Sequence, residues 1–427
     1  MWCPDGNSDH PLSAEGYDQF EFARLGNPVR GYFSYGRFEA ELISCFPDEK
    51  QGIQKYFATV RDICADVPFY NTCLPLTPFL RGYKSRPRSL ATFLDTVTEN
   101  RYLRAILAAP AFLYGVPIEL ASLEIHALVA HGYYSGAYTI SGGGQAIVDA
   151  FVNRLKTQEG EMYSSSEVTG IRVKGGKVCG VDISGGGHIE CDQVIFTGHP
   201  AHVIDMVPPG VFRPAYSTRL RELRNSLSMF AVFGQSSRPV ELADGPLNYY
   251  LLPDENEVIP KSSLTPPHFR PMMMTGTAVR KGEILQGREN GIILLRLGYW
   301  DDVAGFAKSS PGNRPSAYED LKENVARDMV SSAQRRWGDI CGEIKPSAIG
   351  TPLTFRDELA APDGCAYGAM HCLDQFNPDV RTRLPGLYLS GQSTLMTGVV
   401  GASISGLVGA GEILGLESLW EEVKTWQ

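Results

Sequence analysis

Between Leu384 and Leu416 the chain reads LPGLYLSGQSTLMTGVVGASISGLVGAGEILGL. An apolar strand from Gly386 to Leu389 runs into the small-residue turn Ser390-Gly391-Gln392-Ser393. Thr397-Gly398-Val399-Val400-Gly401 then opens a run that can be helical, with further glycines at 406, 409, 411 and 415. Glycine is a poor helix former unless a backbone must approach something closely. The start of such a helix offers unpaired N–H donors and the positive end of a dipole. That combination suits a large, flat, electron-rich cofactor edge, such as the N1/O2 side of a flavin. The alternative is a membrane helix packed through G-x-x-x-G, since Glu412 is the only charge from Leu395 to Leu416. The strand and turn ahead of it, its Ser/Thr content and its glycines favour a buried helix instead.

Other chemistries have thin support. The histidines stand at 10, 126, 131, 188, 199, 202, 268 and 371. His126 and His131 are five apart, which is not one helical face. There is no H-E-x-x-H, so no metal site is expected. Gly401-Ala402-Ser403-Ile404-Ser405-Gly406 misses the nucleophile elbow G-x-S-x-G by one residue. Ser403 therefore reads as a small packing residue, and the catalytic side chains stay unassigned. A cofactor that carries the difficult step accounts for such a thin acid/base inventory.

These residues need a scaffold. A length of 427 residues suits two domains, and 43% apolar with 20% charged residues describes a globular chain. The net charge of −9, with no basic run, argues against a nucleic-acid partner. The nine cysteines are scattered, without C-x-x-C pairs, which favours a reducing compartment and free thiols. The N-terminus has neither a basic nor an apolar leader region, so no signal peptide is expected and the location reads as cytoplasmic.

Periodicity predicts helices over Glu49–Cys64, Ser89–Val97 and Ile118–Tyr133, with a strongly apolar stretch Arg101–Leu113 broken at Pro110 between them, an apolar helical region fit for a substrate cap or for plain core. A helix over Gln145–Leu155 presents Ile147, Val148, Phe151, Val152 and Leu155. Strands follow at Val168–Val173, Val178–Ile183, His188–Cys191 and Gln193–Thr197, with glycine turns between the first three. Further strands are expected at Ser228–Phe233, Asn248–Leu252, Pro271–Thr275 and Gly291–Tyr299. Ser316 is expected to cap a helix to Trp337, and Met272-Met273-Met274 offers a flexible surface for a long apolar ligand or, the favoured reading, fills core.

The order Gly391-Gln392-Ser393-Thr394, Gly398-Val399-Val400-Gly401-Ala402, Ser405-Gly406 resembles the C-terminal flavin segment of FAD-dependent phytoene desaturases, carotenoid isomerases and retinol saturases, within the amine-oxidase-like flavoproteins. Thr351–Thr354, Ala361–Gly368, Tyr138–Gln145, Ser166–Ile171 and Ile189–Ile195 resemble other blocks of that family in the same order. The resemblance implies an α/β (α+β) fold of two domains, FAD-linked reductase or amine-oxidase-like. A discontinuous cofactor domain would take 136–205 and 341–427. A substrate domain would take 1–135 and 206–340.

The resemblance further implies that Val168 touches the adenine through its backbone and that Gly198 lies near the cofactor. Gly391 and Gln392 would lie by the ribityl or pyrophosphate part, and Gly398, Val399, Val400 and Gly401 by the flavin ring. Gln392 stands where many relatives have an acidic residue. The substrate it implies is a long apolar isoprenoid polyene, reached by transient association with a bilayer surface.

One departure is sharp. The family opens with a strand, G-x-G-x-x-G and a helix, which hold the FAD pyrophosphate. This chain opens MWCPDGNSDHPLSAEGYDQFEF, a polar, turn-rich stretch that reads as having no buried strand. Ser141-Gly142-Gly143-Gly144 follows a stretch too polar and aromatic for a buried parallel strand. The N-terminal dinucleotide-binding unit is therefore expected to be incomplete. Three readings stay open: a truncated frame, a partner chain that supplies the unit, or a non-catalytic remnant that no longer binds FAD well.

Overall fold

The computed structural model describes residues 10–11, 16–82, 87–136, 138–140, 143–240, 247–254, 258–260, 263–277 and 290–425. Most of the polar opening, residues 83–86, and Ser141-Gly142 lie outside the described residues. The elements in chain order are β1 His10–Pro11, β2 Asp18–Glu21, β3 Val29–Gly31, α1 Tyr35–Cys45, α2 Lys50–Ala65, α3 Leu76–Gly82, α4 Leu90–Asp95, α5 Arg101–Ala108, α6 Leu123–Tyr134, β4 Tyr138–Thr139, α7 Gly143–Thr157, β5 Val168–Lys174, β6 Lys177–Ile183, β7 Gly187–Ile189, β8 Val194–Phe196, α8 Val203–Met206, α9 Pro214–Arg221, β9 Ser228–Ser236, β10 Asn248–Leu251, β11 Met272–Gly276, β12 Gly291–Gly298, α10 Ser316–Cys341, β13 Ile344–Gly350, α11 Pro352–Leu359, β14 Leu387–Leu389, α12 Gly398–Leu414 and α13 Leu416–Lys424. The chain forms two compact units. One comprises Met1–Leu12, Tyr138–Leu223 and Phe376–Gln427; the other comprises Ser13–Ala137 and Arg224–Gln375.

The second unit is built on a seven-stranded sheet in the order β13-β9-β12-β11-β10-β2-β3. Alternation along each strand gives the sheet two different faces. One face packs on α10: Phe230, Val232, Tyr249, Met272, Met274, Ile292 and Leu294 meet Ala326, Met329, Ala333 and Trp337 in a single core. Met272 and Met274 thus fill core, as their sequence setting predicts. The pairing Tyr250↔Met273↔Leu295 runs along the opposite face. Helices α2 and α6 pack together in the same unit, burying Ile53, Tyr56, Phe57, Val60, His126, Ala127 and Tyr134.

The polar opening does contain a buried strand, contrary to its sequence reading. Strand β2, Asp18-Gln19-Phe20-Glu21, pairs parallel with β10 and antiparallel with β3. Two acids and a glutamine hide the alternation, because the partners that take up their polar side chains, on β10 and α10, lie more than two hundred residues away. Glu21 is buried, accepting from the Trp337 indole at 2.7 Å and pairing with Arg336. One further expectation is corrected. Helix α10 is preceded by Pro315 with no side-chain cap, so Ser316 lies inside the first turn. The apolar stretch from Arg101 breaks at Pro110 as its sequence predicts: α5 passes into a 3-10 turn at Ala109–Leu113, where Pro110 cannot donate a helical bond.

Unit boundaries also differ from the ranges read from sequence. Strand β13 joins the seven-stranded sheet by pairing with β9, so residues 341–375 belong with the second unit. Residues 206–223 belong with the first. That unit holds the antiparallel sheet β5-β6-β7, the parallel pair β8–β14 and helices α7, α12 and α13.

Candidate functional site

In the first unit, β8 and β14 run parallel, with Leu387↔Val194, Tyr388↔Ile195 and Leu389↔Phe196 in register. Ser390 N–H extends the ladder to the Phe196 carbonyl at 2.9 Å. Both carboxyl ends are glycine turns, at Thr197-Gly198 and Ser390-Gly391. Gly391 has φ +99°, and a Cβ there would lie 3.2 Å from the Thr197 carbonyl oxygen. Ligands of parallel sheets bind beyond strand carboxyl ends.

The turn after β14 is locked by hydroxyls. Ser405, fully buried on α12, accepts from Gly391 N–H at 3.0 Å and lies 2.6 Å from Thr394 Oγ1 and 3.2 Å from Ser390 Oγ. Thr394 Oγ1 donates to the Gly391 carbonyl at 2.9 Å. Ser405 and Thr394 were not assigned this role from sequence. Their hydroxyls meet only when the chain returns through the turn. Ser403, by contrast, is exposed and donates back to the Val399 carbonyl at 2.8 Å, an ordinary within-helix bond.

Helix α12 starts at Gly398. Thr397 precedes it in an extended conformation, and no side chain caps the first turn. Gly398 has φ +78° with open space where a Cβ would stand. Val399 is 69% and Val400 56% exposed. A short-range donor array and a dipole end therefore face outward over seventeen helical residues. Gly401 is different: its Cβ would stand 2.2 Å from the Met396 carbonyl oxygen, so its glycine serves the turn that folds against the helix.

Six of the eight residues named from sequence lie in this one segment, Gly391, Gln392 and Gly398 through Gly401, and Gly198 ends the paired strand. Gln392 is half-buried. Val168 opens β5 in the separate antiparallel sheet, opposite Ile183, and is 39% exposed.

The second unit carries a small cavity of about 30 Å³. It is lined by Asp18 and Phe20 of β2, Phe38 of α1, Tyr133 and Tyr134 of α6, and Tyr250 of β10, among others. Phe20 stacks on Tyr250 with centroids 5.2 Å apart. The histidines of α6 are structural. His126 sits between the Tyr114 and Tyr56 hydroxyls, each 3.0 Å away, with the Leu107 carbonyl at 3.0 Å. Burial pushes it down to about 4, so it is neutral. His131 is held by Tyr35 at 2.6 Å and Ser135 at 3.0 Å.

Among the described residues no group of three metal-ligating side chains comes together. No helix there is long and apolar enough to cross a membrane. The eight described cysteines are free.

Against known proteins, the profile of the flavin containing amine oxidoreductases matches residues 76–263. The chain is 26% identical over 418 residues to an all-trans-retinol 13,14-reductase of Macaca fascicularis, covering 89% of this chain and 68% of that protein. It is 23% identical to a chloroplastic prolycopene isomerase of Daucus carota over 90% of this chain and 64% of that protein. Among solved structures it resembles an oxidoreductase from Methanosarcina mazei, with TM-score 0.58, 12% identity, and 93% of this chain and 81% of that chain covered. That likeness establishes the mixed α/β fold.

Proposed function

The chain is a relative of the flavin containing amine oxidoreductases, and from that premise we propose a flavin-dependent oxidoreductase or isomerase of apolar isoprenoid polyenes. The observation that carries the reading is the uncapped start of α12, placed just beyond β14 with open space at Gly398. The similarity to a retinol reductase and a prolycopene isomerase supports the polyene class.

The residues present fit the ring end of FAD. Gly398, Val399 and Val400 would turn backbone N–H groups and the helix dipole toward its electron-rich edge. Gly391 and Gln392 would meet the ribityl part, and the Ser405–Thr394 hydroxyls hold that turn in shape. When bound, a flavin supplies a hydride donor or acceptor. The protein's task is then to orient, to exclude water and to manage a proton.

The pyrophosphate end has no such support, because the sequence contains no G-x-G-x-x-G. We propose that further polypeptide, from a longer form or a partner chain, supplies that cradle. Within the first unit, α7 forms as its periodicity predicts, yet none of its residues is buried and Phe151 is 69% exposed. Ile195 in the middle of β8 is 40% exposed. Parallel strands are ordinarily covered on both faces, so these apolar surfaces favour an added strand and helix. A cytoplasmic protein that visits a bilayer surface to collect its substrate fits the apolar ligand class.

The flavin part of the proposal is tested by absorption. Titrated with FAD, the purified chain should give weak or no yellow complex, and addition of a segment bearing G-x-G-x-x-G should raise the affinity at least about tenfold. Stoichiometric flavin on the chain alone would overturn the need for a separate cradle.

A further inference from the structure

We propose that the loop Ser263–Arg270 of the second unit is an interfacial anchor, whose Leu264 and Phe269 side chains enter the apolar boundary of a lipid bilayer. The inference rests on the reading above that the protein visits a bilayer to collect its substrate, and it names the segment that makes the visit.

Leu264 is 88% exposed, more than any other large apolar side chain among the described residues, and Phe269 is 59% exposed. Pro266 between them is exposed as well. Singly exposed apolar residues are ordinary. What sets this pair apart is the frame that holds it outward. Arg270 closes the loop, and its side chain is fully buried. A guanidinium has five N–H donors, and here each finds an acceptor. Nε donates to the Thr265 carbonyl at 2.7 Å. Nη1 donates to Asp302 Oδ2 at 2.5 Å and to the Leu297 carbonyl at 3.4 Å. Nη2 donates to the Ser263 carbonyl at 3.0 Å and to Asp302 Oδ1 at 2.8 Å. The guanidinium also lies over the Tyr299 ring, 4.6 Å from its centroid. Ser263 Oγ adds a bond to Asp301 Oδ2 at 2.8 Å. Pro266 and Pro267 fix φ at the tip. The loop is thus tied from beneath and stiffened above, with its largest apolar groups in water.

The same bonds select lipid as the occupant. A backbone polar group without a partner is costly in an apolar medium. The carbonyls of Ser263 and Thr265 are turned inward to Arg270. Those of Pro266 and Pro267 accept from the Phe269 and Arg270 N–H groups at 3.0 and 3.1 Å. The two prolines bring no N–H of their own. No Asp, Glu, Lys or Arg stands between Ser263 and Phe269. A peptide partner that adds as a strand needs free backbone groups, which these bonds have used. A specific protein interface takes about 800 Å² from each partner, and two side chains on a turn offer far less. A bilayer has no fixed shape to match and accepts isolated anchors. Two such side chains give weak, reversible attachment, as collecting and leaving both require.

The test is co-sedimentation of the full chain with neutral phosphatidylcholine vesicles that carry no polyene. Wild type should bind, and high salt should leave the bound fraction unchanged, because the contact is apolar. The double variant Leu264→Ser, Phe269→Ser should bind at least about tenfold more weakly. Its unfolding temperature should not fall, since both side chains already stand in water. Relative to wild type, Phe269→Trp should gain emission that shifts to the blue on vesicles and is quenched by brominated acyl chains. Equal binding by wild type and the double variant, or binding lost at high salt, would overturn the anchor and leave the bilayer visit standing. A wild-type chain that binds no vesicle would overturn both.

Discussion

Gly401→Ala should cost about 3 kcal/mol of stability or more, whereas Gly398→Ala should cost only about 1–2 kcal/mol. The two glycines stand three residues apart on one helix, and their sequence settings are alike. Their surroundings differ. A methyl at 401 would stand 2.2 Å from the Met396 carbonyl oxygen and 2.5 Å from its carbon. Those atoms are backbone, held by the turn that brings Ser393 to Asn377, whose amide donates to the Ser393 carbonyl at 3.2 Å. The neighbour cannot swing aside as a flexible side chain would, so the cost lies at the upper end for overpacking. A methyl at 398 meets nothing within 4 Å, and only the left-handed backbone at φ +78° resists it. Thermal unfolding of both variants separates the cases. Equal destabilisation would show that the turn against Met396 is not tight.

The second large effect concerns Asp18, which should make the wild-type protein less stable as pH rises. An unfolded aspartate loses its proton near pH 4, while the folded residue holds it to about 7. Below about pH 4 both states are protonated and the residue is neutral in effect. Between about pH 4 and about 7 the unfolded chain has released a proton that the folded chain retains, so each step up in pH favours unfolding. Above about 7 the full penalty is present. Linkage bounds it at about 4 kcal/mol, reduced by partial contact with solvent. Asp18→Asn removes the penalty and keeps the shape. The variant should match wild type near pH 4 and exceed it by about 2 kcal/mol at pH 8, as read by urea unfolding at the two pH values. A variant less stable than wild type at pH 8 would mean that the carboxylate is compensated after all.

Asp18 also marks where sequence reading stops. The strands at 168–183 and 228–298 are legible because β-branched and apolar residues alternate or run together between glycine turns. Strand β2 is not, since Asp18, Gln19 and Glu21 look solvated until their partners arrive: Asn248 for one face, Trp337 and Arg336 for the other. The glycine-rich helix start is legible as a place of close approach, because Gly398 and Gly401 are costly in any ordinary helix. What approaches is not. Only the three-dimensional turn distinguishes the open position at 398 from the packed one at 401, or the buried hydroxyl of Ser405 from the exposed one of Ser403. Helix α7 shows the converse: its stripe predicts the helix correctly, but periodicity alone does not say what covers Val148, Phe151 and Leu155.

The central claim is that the chemistry is hydride exchange with an apolar polyene. Flavin-loaded protein, supplemented with a segment bearing G-x-G-x-x-G, should be given retinol, a carotenoid and a set of primary amines in liposomes, with product formation followed by chromatography. The account predicts a changed polyene and untouched amines. Turnover of an amine, with every polyene recovered unchanged, would contradict it.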